Sequence, residues 1–207
     1  ASASHPDQSA PVATPAPAFA LSGPADLSGI AGYHWKIDSS PGTAPTASDP
    51  LAGASLQTTA LLADGTWYFH AVAKDGAGNV GAQAAHYKFI VKAAVDPAAV
   101  NNFRGGDGTQ VDIPAGALSS APQIVIQPPA NPPKPRDPAV KATPVVRDIK
   151  LSDGTRSFRA PVTVTLPYTA SDVAGMNESK LRLFFYDDAA GYWALVPNSA
   201  VDTVNRR

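Results

Sequence analysis

The chain has 207 residues and contains no cysteine. This absence excludes disulfide bonds, a thiolate nucleophile, c-type haem attachment and zinc or iron–sulfur sites built on cysteine. Extracellular modules of this size in eukaryotes often carry disulfides, so the absence favours a bacterial origin.

Charge is also scarce. Only 16% of the residues are charged, below the ~25% of an ordinary soluble domain, and the net charge is −1. No basic surface for nucleic acid or for an anionic membrane is therefore expected. No apolar run approaches the ~18–20 residues that span a bilayer, and no Lys- or Arg-headed signal peptide opens the chain. We expect neither a nucleic-acid partner nor a membrane span.

Helical patterning is missing as well. Windows rich in Leu, Glu and Lys at a helical period do not occur, whereas Pro (21) and Gly (16) are frequent. Only short extended segments fit between these breakers. Since the chain exceeds the ~100–150 residues of one typical domain, the expected fold class is all-β, with two tandem antiparallel β-sandwiches.

Alternating apolar residues define the first domain, which we place at residues 18–92. Tyr33, Trp35 and Ile37 alternate with polar residues, the period of a half-buried strand. Strands are expected at 18–22, 30–38, 55–62, 66–74 and 86–92. The preceding residues 1–17 are rich in Ala, Ser and Pro without periodicity, which predicts a flexible linker.

The motifs SGIAGYHWKID, LADGTWYFHAVAKDGAGNVG and HYKFIV occur in order within this first domain. They resemble the fibronectin type III/immunoglobulin-like repeats of bacterial surface and secreted proteins. The resemblance implies an antiparallel sandwich over residues 18–92. It implies little about function, because such sandwiches host unrelated roles.

Residues 93–102 are expected to form a linker to a second domain at 103–207. Its strands are expected within 109–119, 123–127, 145–151, 156–168 and 180–197, the last range holding two strands. A Pro-rich stretch at 128–144 predicts a loop of polyproline character.

The segment DIPAGALS, followed by APVTVTLPY and LRLFFYDDAAGYWALV, resembles the ZU-type β-sandwich domain of zona occludens proteins, ankyrins and netrin receptors, which is also found in bacterial multidomain proteins. The shared core runs from Ile113 to Leu118. The last residues, 199–207, look like a strand entering a turn, so we expect a C-terminally truncated domain, by design or by a protease acting after Arg206-Arg207. Self-cleavage at a His-Phe-Ser site does not carry over, because no His follows His86.

Three histidines are candidate ligands for a transition-metal ion. If the aromatic residues of their strands face the core, then His34, His70 and His86 all face outward, and a hairpin centred on 75–81 places His70 opposite His86. Two or three imidazoles on one face suit Zn²⁺ or Cu²⁺, but they equally suit an ordinary wet face. Outward-facing Tyr68, His70 and Lys88 are the candidate ligand-binding residues.

Other site candidates have structural explanations. Acidic residues recur at predicted turns, where Asp before Gly is the expected residue. No nucleophile, base and stabiliser assemble, so we expect no enzyme and no cofactor. Calcium at Asp75 and Asn79 lacks the regular acidic spacing of a Ca²⁺ loop. The three tryptophans fall at inward positions and are assigned to the core: Trp35, Trp67 and Trp193.

The expected role is a non-catalytic scaffold or adhesion module of a larger bacterial surface or secreted protein, located extracellularly or at the cell surface. Its partners would be other domains of the same precursor or a surface assembly. Two alternatives stay open. One is an accessory carbohydrate- or peptide-binding module of a secreted enzyme, and the other is a proteolytically matured fragment that remains in an extracellular assembly.

Overall fold

The computed structural model describes residues 1–23, 26–137 and 140–207. Within these ranges the chain is all-β, as predicted, with a single 3₁₀ turn, η1 (Glu178–Lys180), and no α-helix. The strands are β1 (Pro11–Val12), β2 (Ala18–Ala20), β3 (Ile30–Asp38), β4 (Leu51–Ala52), β5 (Ser55–Gln57), β6 (Gly65–Asp75), β7 (Ala85–Val91), β8 (Asn101–Arg104), β9 (Gln110–Ile113), β10 (Ile124–Gln127), β11 (Asp148–Leu151), β12 (Thr163–Thr165), β13 (Phe184–Asp187) and β14 (Tyr192–Leu195).

The first half of the chain builds a five-stranded sheet in the order β1-β7-β6-β3-β4. Its neighbours are antiparallel except for β1, which runs parallel to β7. A separate antiparallel pair, β2-β5, lies over this sheet. Phe19 of β2 stacks on Phe69 of β6 with ring centroids 4.0 Å apart, and it meets Phe89 of β7 edge-on at 5.6 Å. The arrangement is sandwich-like.

The alternation read from the sequence correctly predicts which side chains face inward. Tyr33, Phe69, Phe89 and Val91 are buried in the core, and the other inward residues of β3 and β6 pack against it. Aromatic residues supply much of the buried area because each removes a large apolar surface from water. The loop predicted at 75–81 does connect two antiparallel neighbours, β6 and β7.

The second half contains smaller sheets. A three-stranded sheet has the order β12-β9-β8, and two-stranded sheets pair β10 with β11 and β13 with β14. Val111 of β9 lies opposite Phe103 of β8 on one side and Val164 of β12 on the other. Ile124 and Ile126 of β10 are 1% and 2% exposed. The Pro-rich stretch predicted at 128–144 forms no strand in its described part, and its residues 138–139 lie outside the described residues.

The N-terminal residues differ from the predicted flexible linker. Residues 11–14, which we call the seam, run between the two halves of the molecule: Val12, Ala13 and Thr14 are 4%, 0% and 3% exposed. On one side, the amide N of Lys92 donates to the carbonyl of Val12 (3.0 Å). On the other, the amide N of Ala13 donates to the carbonyl of Arg104 (2.7 Å).

Two further hydrogen bonds fasten the seam to β10. The amide N of Ile126 donates to the carbonyl of Ala13 at 3.0 Å, and the Thr14 hydroxyl donates to the carbonyl of Ile126 at 2.8 Å. The small side chains of this Ala- and Pro-rich stretch let its backbone approach strands of both halves. The seam therefore has the composition of a linker but lies buried between strands of the two halves.

The segment before the seam also packs tightly. Tyr87 donates from its hydroxyl to the carbonyl of His5 (2.7 Å), which ties this segment to β7. Gly106, in the turn between β8 and β9, lies so close to the Ser4 carbonyl that a Cβ at this position would collide with it. The N-terminal segment thus contacts both halves of the chain.

The linker predicted at 93–102 is likewise part of the packed structure. Ala93 and Val95 are 0% and 3% exposed, and the end of the range enters β8. The Asp64 carboxylate accepts from the amide N atoms of both Ala93 (2.7 Å) and Ala94 (3.0 Å). One contiguous core extends from Ala13 to Leu151 and takes residues from both predicted domains.

The hairpin β13-β14 stands apart from this core. Trp193, assigned to the core from sequence, is half-buried and lies outside the core cluster, so that prediction is wrong. Its indole N–H donates to the carbonyl of Pro133 (3.0 Å), and its ring meets Tyr186 edge-on at 5.4 Å. Apolar and polar residues alternate along this hairpin as they do in a core strand. The hairpin has only two strands, however, and among the described residues it pairs with no other strand that would bury its apolar face.

Candidate functional site

Three polar side chains form a hydrogen-bonded chain on the outer face of the five-stranded sheet. Strand pairing places His70 of β6 directly opposite His86 of β7, as the sequence predicted. Their Nδ1 atoms lie 2.7 Å apart. The Nε2 atom of His70 lies 3.2 Å from an Oδ1 of Asp38, at the end of β3.

When both rings are neutral, this geometry allows one assignment of their tautomers. An ionised carboxylate only accepts hydrogen bonds, so His70 donates its Nε2–H to Asp38 and keeps a lone pair on Nδ1. That lone pair in turn accepts the Nδ1–H of His86. The arrangement is therefore a hydrogen-bonded relay from Asp38 through His70 to His86, with Nε2 of His86 left as an acceptor.

The Asp38 carboxylate is stabilised in its ionised form. Partial burial raises its pKa, but hydrogen bonds from Thr43, from the amide N of Ser40 and from His70 outweigh that effect and hold the pKa below its ordinary value. A charged Asp38 is what orients the His70 ring, because it requires a proton on Nε2.

The loop of residues 39–50 packs over this face of the sheet. The sequence did not predict this packing. His34 brings its Nδ1 to 2.8 Å from the carbonyl of Asp49, and Pro45 within the loop is buried. As a result His70 is 0% and His34 5% exposed, so the predicted wet face is wrong for these two residues. His86 is exposed, as predicted.

The three histidines that the sequence offered as possible metal ligands, or equally as ordinary polar residues, do not come together as a group of three. His34 pairs with Leu51 and Val72 and turns its Nδ1 away to the loop carbonyl, while its buried Nε2 has no hydrogen-bond partner. Among the described residues, no group of three or more His, Cys, Asp or Glu side chains is placed to hold a metal ion. The structure brings together only His70 and His86.

The candidate ligand-binding residues lie side by side but do not form an open surface. Tyr68 pairs with Lys88 across β6 and β7, and its ring stacks on His70 at a centroid distance of 6.4 Å. Tyr68 and Lys88 are half-buried, whereas His70 is fully buried. A carbohydrate or peptide on this face would therefore contact Tyr68 and Lys88, whereas His70 lies beneath the surface and meets its neighbours Asp38 and His86.

Sequence reasoning missed Asp38 as the partner of His70. A signal was present, because His34, Lys36 and Asp38 alternate along β3 and share its outer face. The register of β3 on β6 then pairs Lys36 with His70 and Asp38 with Tyr68. Asp38 lies one step diagonally from His70, within reach of its ring.

The turn carboxylates have the structural roles expected of them. Asp75 accepts from the amide N of Asn79 (2.7 Å) and from its side-chain amide (2.8 Å), so both carboxylate oxygens are engaged within the hairpin loop. Asp187 accepts from the amide N atoms of Ala189 and Ala190, each at 3.0 Å, in the turn of the last hairpin. Asp107 forms an ion pair with Arg147.

A second feature is apolar surface in the C-terminal region. The last hairpin exposes Phe184, Phe185, Tyr192 and Leu195. Beside it lies an open groove of about 670 Å³, whose lining includes Phe158 and Phe185. Apolar surface that is contiguous over several hundred Å² commonly marks a contact with another molecule.

His5 is the fourth histidine, and no sequence motif distinguishes it. It is 0% exposed, its ring meets Phe89 edge-on at 5.0 Å, and its Nε2 has no hydrogen-bond partner. Burial lowers the pKa of His5 to about 4 from an ordinary value of 6.5. This ring is therefore neutral in the folded protein over most of the physiological pH range.

Comparison with known proteins identifies no protein related to this chain. No protein-family model, no curated protein and no solved structure matches the chain. In the described part of the chain, no helix has the length and apolar character needed to cross a membrane.

Proposed function

We propose that this chain is a non-catalytic scaffold module of a larger surface or secreted protein, which holds the parts attached to it at fixed relative positions. One observation carries the proposal: the seam is hydrogen-bonded to strands of both halves, and the halves share one core. Domains joined by an ordinary linker move relative to one another. A shared strand opposes that motion.

We assign the first half to the immunoglobulin-like class. Its order β7-β6-β3-β4 corresponds to the G-F-C-C′ sheet of such domains, and the pair β2-β5 takes the place of strands B and E. Residues before Ala18 also join this unit, since β1 pairs with β7 and Ala1 exchanges backbone hydrogen bonds with Ala20. The proposed sandwich therefore begins before the boundary expected from sequence.

We assign the second half to the ZU-like class on the motif that runs from Ile113 to Leu118. Ile113 ends β9, and Ala117 and Leu118 are 1% and 5% exposed, so the apolar residues of the motif enter the core. Gly116 has a φ of 75°, a conformation that glycine adopts without strain. The motif thus works as an exposed turn flanked by buried apolar residues.

The carbohydrate-binding alternative has less support. A carbohydrate site of the usual kind presents exposed flat aromatic rings, whereas in the first half of the chain Trp35 and Trp67 pack against the core. Tyr68 is half-buried beside His70. The scaffold role needs only a rigid fold, and the paired strands and the shared apolar core support it.

The scaffold proposal is tested by measuring whether the halves move independently. Residual dipolar couplings of amides in β6 and in β9 should fit one common alignment tensor. Two tensors of clearly different magnitude would show independent motion and would sink the proposal. Small-angle scattering over a temperature series below unfolding provides a second measurement, with an unchanged radius of gyration expected.

Replacing Thr14 with Val tests the seam itself. The substitution keeps the shape of the side chain but removes the hydroxyl that donates to the Ile126 carbonyl, leaving a buried acceptor against a methyl group. We expect the free energy of unfolding to fall by about 1–3 kcal/mol. Urea titration followed by circular dichroism measures this change.

Thr58→Val is the matched control for Thr14→Val. The Thr58 hydroxyl donates to the carbonyl of Pro17 at 3.0 Å, but the amide N of Thr58 donates to the same carbonyl and remains after the substitution. We therefore expect a smaller loss, of about 0.5–1 kcal/mol. Equal losses of unfolding free energy in the two variants would mean that the seam hydrogen bond stabilises the fold no more than the Thr58 hydrogen bond does.

A further inference from the structure

We propose that His70 and His86 bind one divalent transition-metal ion through their Nδ1 atoms, with Asp38 as a positioning residue that holds the His70 ring. This inference does not depend on the scaffold role. It rests on the relay described above, in which two imidazole nitrogens of adjacent strands face each other at 2.7 Å.

The orientation of His70 is that of a metal ligand. Ligating histidines commonly donate their other ring N–H to a carboxylate, which fixes the tautomer and makes the ligating nitrogen more basic. His70 has this arrangement, with Nε2 at 3.2 Å from Asp38 and Nδ1 directed at the second imidazole. Because His70 is 0% exposed, its ring is held in place before any ion arrives.

The spacing of the two nitrogens permits an ion after a small movement. Zn–N bonds are about 2.0–2.1 Å long, so two nitrogens on one tetrahedral ion lie about 3.3 Å apart. The observed separation of 2.7 Å has to widen by about 0.6 Å. His86 is exposed, so its ring can make this movement while His70 stays fixed.

The ion replaces a proton that lies between the rings. In the relay, His86 carries its proton on Nδ1; when the ion binds, that nitrogen becomes a ligand and the proton moves through solvent to Nε2. Both rings stay neutral, so no net proton is released. The two imidazoles supply two ligands, and water completes the coordination. Imidazole favours Zn²⁺ and Cu²⁺ over Mg²⁺ or Ca²⁺.

Zinc titration of the whole chain tests the proposal. ZnCl₂ is added at pH 7.5 while histidine ring signals are followed by ¹H–¹⁵N NMR and heat is measured by calorimetry. We expect saturation at one ion per chain, with the ring signals of His70 and His86 shifting and those of His5 and His34 unchanged. MgCl₂ should leave all four rings unchanged.

Variants then locate the ion. His86→Ala removes an exposed ligand and should weaken Zn²⁺ binding at least tenfold, while Asp38→Ala should weaken it about 10–100-fold through the orientation of His70. His34→Asn is the matched control: its amide retains a donor for the Asp49 carbonyl, and binding should be unchanged. Circular dichroism confirms that each variant is folded.

Two outcomes would overturn the proposal. Zinc binding that survives His86→Ala at wild-type strength would place the ion elsewhere, for example at the N-terminal amine. Unshifted ring signals of His70 and His86 at millimolar Zn²⁺ would show that the pair is a hydrogen bond only. Neither outcome touches the scaffold proposal, which is tested by the alignment of the two halves.

Discussion

Replacing Ile126 with Ala is expected to destabilise both halves of the chain together. Ile126 is 2% exposed, belongs to the contiguous core and exchanges hydrogen bonds with the seam. Truncating a buried Ile to Ala costs about 2–5 kcal/mol. Because the core is shared, the loss should be felt equally by β9, in the same half as Ile126, and by β6, in the other half.

Native-state hydrogen exchange measures this coupling strand by strand. The slowest amides of β6 and of β9 report the free energy of the openings that expose them. In Ile126→Ala, both sets should lose the same free energy within error. If β9 amides lose protection while β6 amides keep theirs, the halves unfold independently and the shared core does not make one cooperative unit.

Phe89→Ala is the reciprocal experiment from the first half. Phe89 is 0% exposed and contacts both Phe19 and His5. The truncation should cost about 3–5 kcal/mol, and the slowest amides of β9 should lose as much protection as those of β6. A reciprocal result excludes the explanation that one half is merely the less stable of two independent units.

Periodicity predicts the three longest strands of this protein well, because a sheet with one apolar face imposes a period of two on the sequence. The strands expected at 55–62 and 156–168 are much shorter, at Ser55–Gln57 and Thr163–Thr165. Strand β3 spans the predicted residues 30–38, and β6 and β7 begin and end within one residue of expectation. The Asn- and Gly-containing loop at 75–81 then fixes the register of the hairpin. The pairing of His70 with His86 follows from that register alone.

The seam could not be predicted in this way. Residues 1–17 show no alternation of apolar and polar side chains. The seam lies close to the backbones of strands on both of its sides, so it needs small side chains there and has no single apolar face. Ala13, Pro15 and Pro17 are almost fully buried, yet their composition is that of a solvated linker. Burial here is decided by partners distant in sequence, which a local pattern does not encode.

The candidate site was predicted only in part for a similar reason. Alternation correctly places His34 and His70 on the face of the sheet opposite the core. That face is exposed to solvent only where no other segment packs over it. Residues 39–50 pack over this face and are fastened by His34 to the Asp49 carbonyl. A loop rich in Pro, Ser and Thr gives no sequence signal of where it packs, so the burial of both rings was missed.

The His5 ring should make the protein lose stability between pH 6.5 and pH 4. Burial lowers its pKa to about 4 in the folded state, whereas the unfolded chain has the ordinary value of 6.5. Between these values the unfolded state binds more protons, so falling pH favours unfolding. The shift corresponds to a loss of about 3 kcal/mol between pH 8 and pH 4.

His5→Leu isolates this contribution, since leucine fills a similar apolar site beside Phe89 and does not titrate. Unfolding free energies of both proteins are measured by urea titration from pH 8 to pH 4. The free energy of the wild type minus that of His5→Leu should fall by about 3 kcal/mol over this range, because only the wild type loses the His5 contribution. Other titrating groups are common to both proteins and cancel in the difference. A difference that stays constant over this range would show that His5 is protonated at little cost, and therefore that the N-terminal segment leaves the core easily.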